Sequence, residues 1–453
     1  MTTVARTLSI MLAAIVAALV LATQAFAMSP SELQERLDAS VRGDRRGTCV
    51  VAAVIEGQNV QRLRSCAGTR ADAGPGFDEA FEIGSISKTM TAFLVADLIE
   101  AGRWTLDDPV AKHLPPGTKV PQRGGKQILV KHLLTHTSGL PRDVPALLAQ
   151  RGADEASLLA LLGETPLASD IGLKTSYSNF GVMVLSVAVA RAYQDTTGGS
   201  LEAAMKARLF DPLNMSGAYI SQPPKGTRAA IGHFSSRDIA PAMSLPKGLQ
   251  NGAGVGMVKA RLDDMVRYAQ AEMGVTPTPL LSRMRLTQQP VAHGNGMAWF
   301  IDRQGYHRVS HGGSTAGFSS MLIMEPDSQR AVVLLSDTQV VSGMEDWALS
   351  LLDRSRPVPK PRLDAPFPDK LRQALVGNYT VMGQPVKVWL DGARVLSQLP
   401  GQPIVEMRYD DEDTVYPTSG PSGEAQLKVE GGVVTRFSWF AGGTPVEGVR
   451  VKP

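Results

Sequence analysis

The sequence predicts an α/β domain followed by a small all-β domain, and three observations carry that expectation. Strand-like stretches lie at both ends of residues 28–355 with mainly helical stretches between them, so one sheet must be assembled from distant parts of the chain around a helical insertion. Pro357, Pro359, Pro361, Pro366 and Pro368 then crowd a short stretch, which reads as a stiff linker over 356–369. From about residue 370 the chain turns to short strands with Gly and Asp-Gly turns, as in Lys387-Val388-Trp389-Leu390-Asp391-Gly392, predicting a small antiparallel barrel or sandwich over 370–453.

The elements follow in order. Arg6 precedes the uncharged apolar run Leu8–Ala22 and then Ala25-Phe26-Ala27. This is the pattern of an export signal cleaved after Ala27, too short for a comfortable membrane span. No later segment reads as a transmembrane helix, and no cysteine near the cleavage site offers a lipid attachment point. A periplasmic or secreted location is therefore expected.

Residues 48–55 and 60–66 form a hairpin about Glu56-Gly57-Gln58-Asn59. In 85–100 (SISKTMTAFLVADLIE), Phe93, Leu94, Ala96, Leu98 and Ile99 recur at helical spacing and Gly102 offers a stop. A short helix around His132 to His136 ends at Thr137-Ser138-Gly139. Residues 180–192 are apolar nearly all round, so that helix should be buried. An amphipathic helix over 258–270, strands near 297–301, 306–310, 318–325 and 330–336, and a helix over 342–354 complete the first domain.

Cys49 and Cys66 are the only cysteines. A two-residue turn at Gly57-Gln58 sets Cys49 opposite Cys66 in a non-hydrogen-bonded pair, where Cα atoms lie about 4.5 Å apart, within disulfide range. Export would let such a bond persist, so a Cys49–Cys66 disulfide is expected; two buried free thiols are the alternative.

Several classes of function are excluded. A formal charge of +3 with no arginine stripe interleaved with aromatics gives no footprint for nucleic acid. Gly252-Ala253-Gly254-Val255-Gly256 lacks both the acidic partner of a dinucleotide loop and the lysine of a phosphate loop, and reads as a flexible turn or substrate-facing loop. His132 and His136 stand four apart without a glutamate beside His132, which favours packing over metal binding. Neither a cofactor nor a metal is expected.

The chemistry concentrates elsewhere. Ser85 and Lys88 lie three apart on one face of the first helical turns, where a desolvated amine can take the hydroxyl proton. The positive end of the helix favours negative charge nearby. Tyr177 and Asn179 stand just before the buried helix. A tyrosine hydroxyl held against a lysine can relay that proton, and Asn179 can orient Lys88 and donate to a substrate carbonyl. His311-Gly312-Gly313-Ser314 follows a strand, and its glycines leave room for substrate at the sheet edge.

Ser-Ile-Ser-Lys, Tyr-Ser-Asn and His-Gly-Gly, in that order, resemble the serine hydrolase family of class C β-lactamases, low-molecular-weight penicillin-binding proteins, D-alanyl-D-alanine carboxypeptidases, D-aminopeptidases and some esterases. Leu106-Asp107-Asp108-Pro109 and Leu134-Thr135-His136-Thr137-Ser138-Gly139-Leu140 look like further family segments, and the likeness covers roughly 45–355. The stretch from Pro115-Pro116-Gly117 to His136 is similar to a periplasmic carboxypeptidase/endopeptidase branch with weak β-lactamase activity. The resemblance implies a class C β-lactamase-like sandwich: an antiparallel sheet flanked by helices, plus an all-helical subdomain, with the site between them.

It further implies that Ser85 is the acylated nucleophile, Lys88 its proton partner and Tyr177 the general base. Asn179, His311, Gly312 and Gly313 would contact substrate, and the backbone N–H groups of Ser85 and Ser314 would form the oxyanion hole. His311-Gly312-Gly313 stands where lactamases usually carry Lys-Thr-Gly. A histidine is mostly neutral at pH 7, so efficient β-lactamase activity is disfavoured. The expected partner is a small-molecule or peptide substrate, cell-wall peptides included. The leading expectation is D-amino-acid peptide or amide hydrolysis through an acyl-enzyme. The alternatives are an esterase for small acyl esters, a weak β-lactamase or slowly deacylating penicillin-binding protein, and a non-catalytic binding module.

Overall fold

The computed structural model describes residues 28–451 apart from 69–73, 145, 235–237, 303–306, 340–342, 411–413, 420–422 and 441–445. The proposed export signal, residues 1–27, lies outside the described residues. Among these, no helix is long and apolar enough to cross a membrane.

The first unit is built on a six-stranded antiparallel sheet. Its strands are β1 (Cys49–Glu56), β2 (Asn59–Cys66), β3 (Phe300–Asp302), β4 (Arg308–Ser314), β5 (Ser319–Glu325) and β6 (Arg330–Ser336), in the spatial order β2-β1-β6-β5-β4-β3. The hairpin register is the one the sequence implies: Glu56 pairs with Asn59 and Cys49 with Cys66. A disulfide joins the two cysteines, with Cα atoms 4.0 Å apart.

The helices that matter here are α1 (Pro30–Val41), α2 (Ser87–Glu100), α3 (Asn179–Ala192), α4 (Leu262–Glu272), α5 (Met344–Leu352) and α6 (Asp369–Leu375). Strand β1 is apolar from Cys49 to Ile55 because both of its faces are covered. Val51, Ala53 and Ile55 join the large core that contains α2, α3 and α4, while Val50, Ala52 and Val54 join a smaller core with α1 and α5. Residues between α2 and α4 supply the helical subdomain, with α3 packed against α2 at its centre. Ser178 caps α3 by accepting the N–H of Gly181, which fixes where Tyr177 leaves the helix.

The C-terminal unit is a closed eight-stranded antiparallel barrel, which settles the choice between barrel and sandwich. Its strands are β7 (Gly377–Val381), β8 (Gln384–Asp391), β9 (Arg394–Gln398), β10 (Val405–Tyr409), β11 (Thr414–Pro417), β12 (Glu424–Glu430), β13 (Val433–Phe440) and β14 (Val446–Arg450). The segment before β1 ties the two units together. Arg45 is buried between Asp410 and Glu424 of the barrel and lies over the Tyr416 ring, while Arg46 pairs with Asp44.

Candidate active site

Ser85 sits in a 3₁₀ turn, Gly84–Ile86, that leads directly into α2. Three contacts hold the turn. Ser87 Oγ donates to the Gly84 carbonyl and accepts the N–H of Val258, and Ser320 Oγ donates to the Ile83 carbonyl. Gly84 has φ +51°, and a Cβ there would lie 2.7 Å from the Ser314 nitrogen. A Cβ on Gly313 would come within 2.0 Å of the Ile83 carbonyl oxygen. Only glycine permits this contact between the nucleophile turn and the end of β4, which brings Ser85 and Ser314 to the wall of the same pocket. The sequence placed His311-Gly312-Gly313 after a strand; in fact they lie within β4, whose pairing with β5 runs on to Ser314.

Lys88 Nζ donates to Ser85 Oγ at 2.9 Å and to the Val255 carbonyl. It is 1% exposed, and burial, helped by the Arg142 charge, pushes its pKa down to about 7. The glycine run 252–256 is thus neither a flexible turn nor a substrate-facing loop. Gly252, Ala253, Gly254 and Val255 are buried, and the segment supplies the carbonyl that holds Lys88.

Tyr177 hydrogen-bonds Ser85, and its ring lies 5.0 Å from Lys88 Nζ. Burial pushes the phenol up to about 12, so the phenolate is disfavoured even beside the amine. Near neutral pH the amine is the more available base.

Two histidines wall the site as neutral rings. The His136 ring lies tilted against Tyr177, with ring centres 4.2 Å apart, and accepts the Ser178 N–H at Nδ1. His311, 2% exposed, is paired through Nδ1 with the Gly312 carbonyl, so Nδ1 carries the proton. Burial holds both near 3. His132 Nδ1 accepts the Leu129 N–H, a local turn role, and no group of three or more metal-ligating side chains occurs among the described residues.

These residues open into a pocket of about 480 Å³ that Ser85, Tyr177, Asn179, His311, Gly312 and Gly313 all line. Lys88 stands behind Ser85. Asn179 does not orient Lys88 as expected: its amide donates to Asp143 Oδ1 at 2.9 Å.

Residues 33–353 match the family model described as Beta-lactamase. The chain belongs to the beta-lactamase family. Penicillin-binding protein 4 of Amycolatopsis lactamdurans is 28% identical over 364 residues, covering 74% of this chain and 92% of that protein. The D-alanyl-D-alanine-carboxypeptidase/endopeptidase AmpH of Escherichia coli K12 is 28% identical over 230 residues, 49% of this chain. That alignment spans 57% of AmpH, little more than half its length. Among solved structures, the beta-lactamase/D-alanine carboxypeptidase of Pseudomonas syringae superimposes with a TM-score of 0.58 at 24% identity, covering 68% of this chain and 94% of that one. The class C beta lactamase of Rhodobacter sphaeroides gives 0.56 at 23% identity, covering 67% and 93%. Both share the fold of this beta-lactamase-family domain.

Among the residues in and around this beta-lactamase-family pocket that the sequence did not single out are Arg142, Asp143 and Phe300. Arg142 lies 5.2 Å from the Tyr177 ring centre and lines the pocket beside Ser85. Asp143 pairs with Asn179, and Phe300 of β3 forms an apolar wall 5.2 Å from the His311 ring. The only available signal for Arg142 and Asp143 was their place directly after Leu134–Leu140, at the start of a segment expected to hold specificity walls.

Proposed function

We propose that this serine hydrolase is exported and cleaves D-amino-acid peptides or amides bearing a free carboxylate, through an acyl-enzyme at Ser85. One observation carries the reading: the Ser85–Lys88–Tyr177 cluster opens into a pocket whose own cation is Arg142, while His311 is neutral. The guanidinium offers a planar two-pronged donor for a carboxylate, supplying from another element the charge that His311 does not.

In this mechanism the free Lys88 amine takes the Ser85 proton as Oγ attacks the carbonyl. The N–H groups of Ser85 and Ser314 stabilise the oxyanion. Tyr177 relays the proton to the leaving amine, and the same groups then activate the water that releases the acyl group. The sequence reading made Tyr177 the base; the low pKa of Lys88 and the high one of Tyr177 favour the amine as acceptor and the phenol as relay.

Ester hydrolysis is the second reading, favoured by the neutral His311 and the 40%-exposed Phe300 on the pocket wall. The deciding experiment compares wild type with Arg142→Gln on a D-Ala-D-Ala peptide and a neutral p-nitrophenyl ester, with intact mass to locate the acyl group. We expect Ser85 to be acylated, and the kcat/KM ratio of peptide to ester to fall about tenfold in Arg142→Gln. An unchanged ratio would remove Arg142 from carboxylate recognition, and turnover of the ester alone would establish the second reading.

A further inference from the structure

A cavity larger than the one at Ser85 lies away from it, inside the C-terminal barrel. An eight-stranded barrel is wide enough either to be filled by its own side chains or to hold one small ligand, depending on residue size. Here the inward positions alternate along the strands as Val386 and Val388, Val405 and Met407, and Ala425 and Leu427. Side chains of this size leave a cavity of about 560 Å³, within the usual ~300–1,000 Å³ of small-molecule sites. None of the residues lining it is charged. An unfilled apolar cavity of this kind favours apolar ligands over water.

The two ends of the barrel differ. At one end, Leu375 of α6 reaches into the lining, and the Tyr379 hydroxyl ties that helix down by donating to the Leu375 carbonyl. The described connecting residues at this end carry charge in sequence, at Asp391, Asp410 and Glu430. At the other end, the described joining residues 382–383, 399–404, 418–419 and 423 include no Asp, Glu, Lys or Arg. That rim carries Met382, Leu399 and Ile404, which are 80%, 41% and 55% exposed. Gln398, Gln402 and Ser419 line the cavity at the same end as neutral hydrogen-bonding groups, with Ser397 and the Trp439 indole also in the lining.

We propose that the barrel is a binding site for a single acyl chain bearing an uncharged polar head. The chain enters past Met382, Leu399 and Ile404 and fills the cavity down to Leu375 and Phe437. Its head stays at the mouth against Gln398, Gln402 and Ser419. A carboxylate or phosphate head would find no cation in the lining, whereas a hydroxyl, ester or amide head finds matched partners. This site is independent of the Ser85 reaction and stands whichever substrate that reaction uses.

The test uses the full mature chain and 1-monolauroylglycerol, offered free in solution or from phosphatidylcholine vesicles. Binding from either source supports the site, and the preferred source tells whether the chain is taken from solution or from a bilayer. We expect saturable one-to-one binding, read by quenching of Trp439 with a monoacylglycerol labelled on its chain by a nitroxide. Laurate should bind at least tenfold more weakly than monolauroylglycerol. Ala425→Trp, which fills the cavity from a 2%-exposed lining position, should weaken binding at least tenfold while leaving Ser85-dependent turnover unchanged. Absence of saturable binding or of Trp439 quenching in the unaltered protein would overturn the proposal, whether or not the variant folds. Undiminished binding by a folded Ala425→Trp protein would overturn it as well, and equal affinity for laurate would overturn the head-group assignment.

Discussion

Replacing Lys88 with methionine should destroy activity and stabilise the fold. Lys88 is 1% exposed, and its pKa falls from 10.5 to about 7 in the folded chain, with burial the main cause. At pH 6 that difference costs the native state on the order of 5 kcal/mol relative to an uncharged side chain. Methionine removes the cost but gives up the bonds to Ser85 Oγ and the Val255 carbonyl, about 2–3 kcal/mol together once the orphaned carbonyl is included. The net expectation at pH 6 is about 2 kcal/mol of added stability.

The pH dependence supplies the sharper check. Between pH 7 and 10.5 the unfolded chain holds the Lys88 proton and the folded chain does not, so wild-type stability rises with pH across that window. The advantage of Lys88→Met should therefore shrink by roughly 2–3 kcal/mol between pH 6 and pH 9. Urea unfolding of both proteins at the two pH values measures it. A variant less stable than wild type at pH 6, or a stability difference that does not change with pH, would refute the reasoning.

Tyr177→Phe should lower turnover by about 10²–10⁴-fold with little change in unfolding midpoint, measured by steady-state kinetics and a urea curve. Gly313→Ala forces a methyl toward the Ile83 carbonyl, so it should cost about 1–3 kcal/mol of stability and at least ~10²-fold in turnover, measured with the same two assays. The wild-type kcat/KM should rise through an acidic limb near pH 7 as Lys88 loses its proton, and fluorophosphonate labelling of Ser85 should follow the same curve. Reducing the Cys49–Cys66 bond, which closes a separation of 17 residues, should lower the melting temperature by about 3–5 °C while leaving turnover nearly unchanged.

Much of the fold was legible because its signals are local. The two-residue turn at Gly57-Gln58 set a register that the structure shares pair for pair. The all-apolar run 180–192 marked a buried helix, which begins one residue earlier, at Asn179. Ser85, Tyr177 and His311 were legible as motif residues, and they converge on one pocket. What escaped depends on three-dimensional neighbours. Arg142 enters the pocket because α3 begins where it does: the Asn179 and Phe180 N–H groups donate to the Arg142 carbonyl. The glycine run at 252–256 looked mobile because nothing in it shows that Thr91 and Ser186 pack against Gly254. The pKa values of Lys88 and Tyr177 were beyond reach because burial, their main cause, is a property of the assembled core.

The place of β1 in the sheet also constrains the order of assembly. On one side it meets β2, its immediate neighbour in the chain, across a two-residue turn. On the other it meets β6, which arrives only after the whole helical subdomain. Closing the near side costs little chain entropy; closing the far side must wait for a loop that contains most of the catalytic unit. Until then β1 presents an unpaired edge that is apolar from Cys49 to Ile55, the kind of surface on which chains stick to one another. The Cys49–Cys66 bond lies at the end of the hairpin away from its turn, so it holds the first pairing in register while the second partner is still missing. An oxidant present early would thus protect yield as well as stability, because the hairpin would be committed before the rest of the sheet exists.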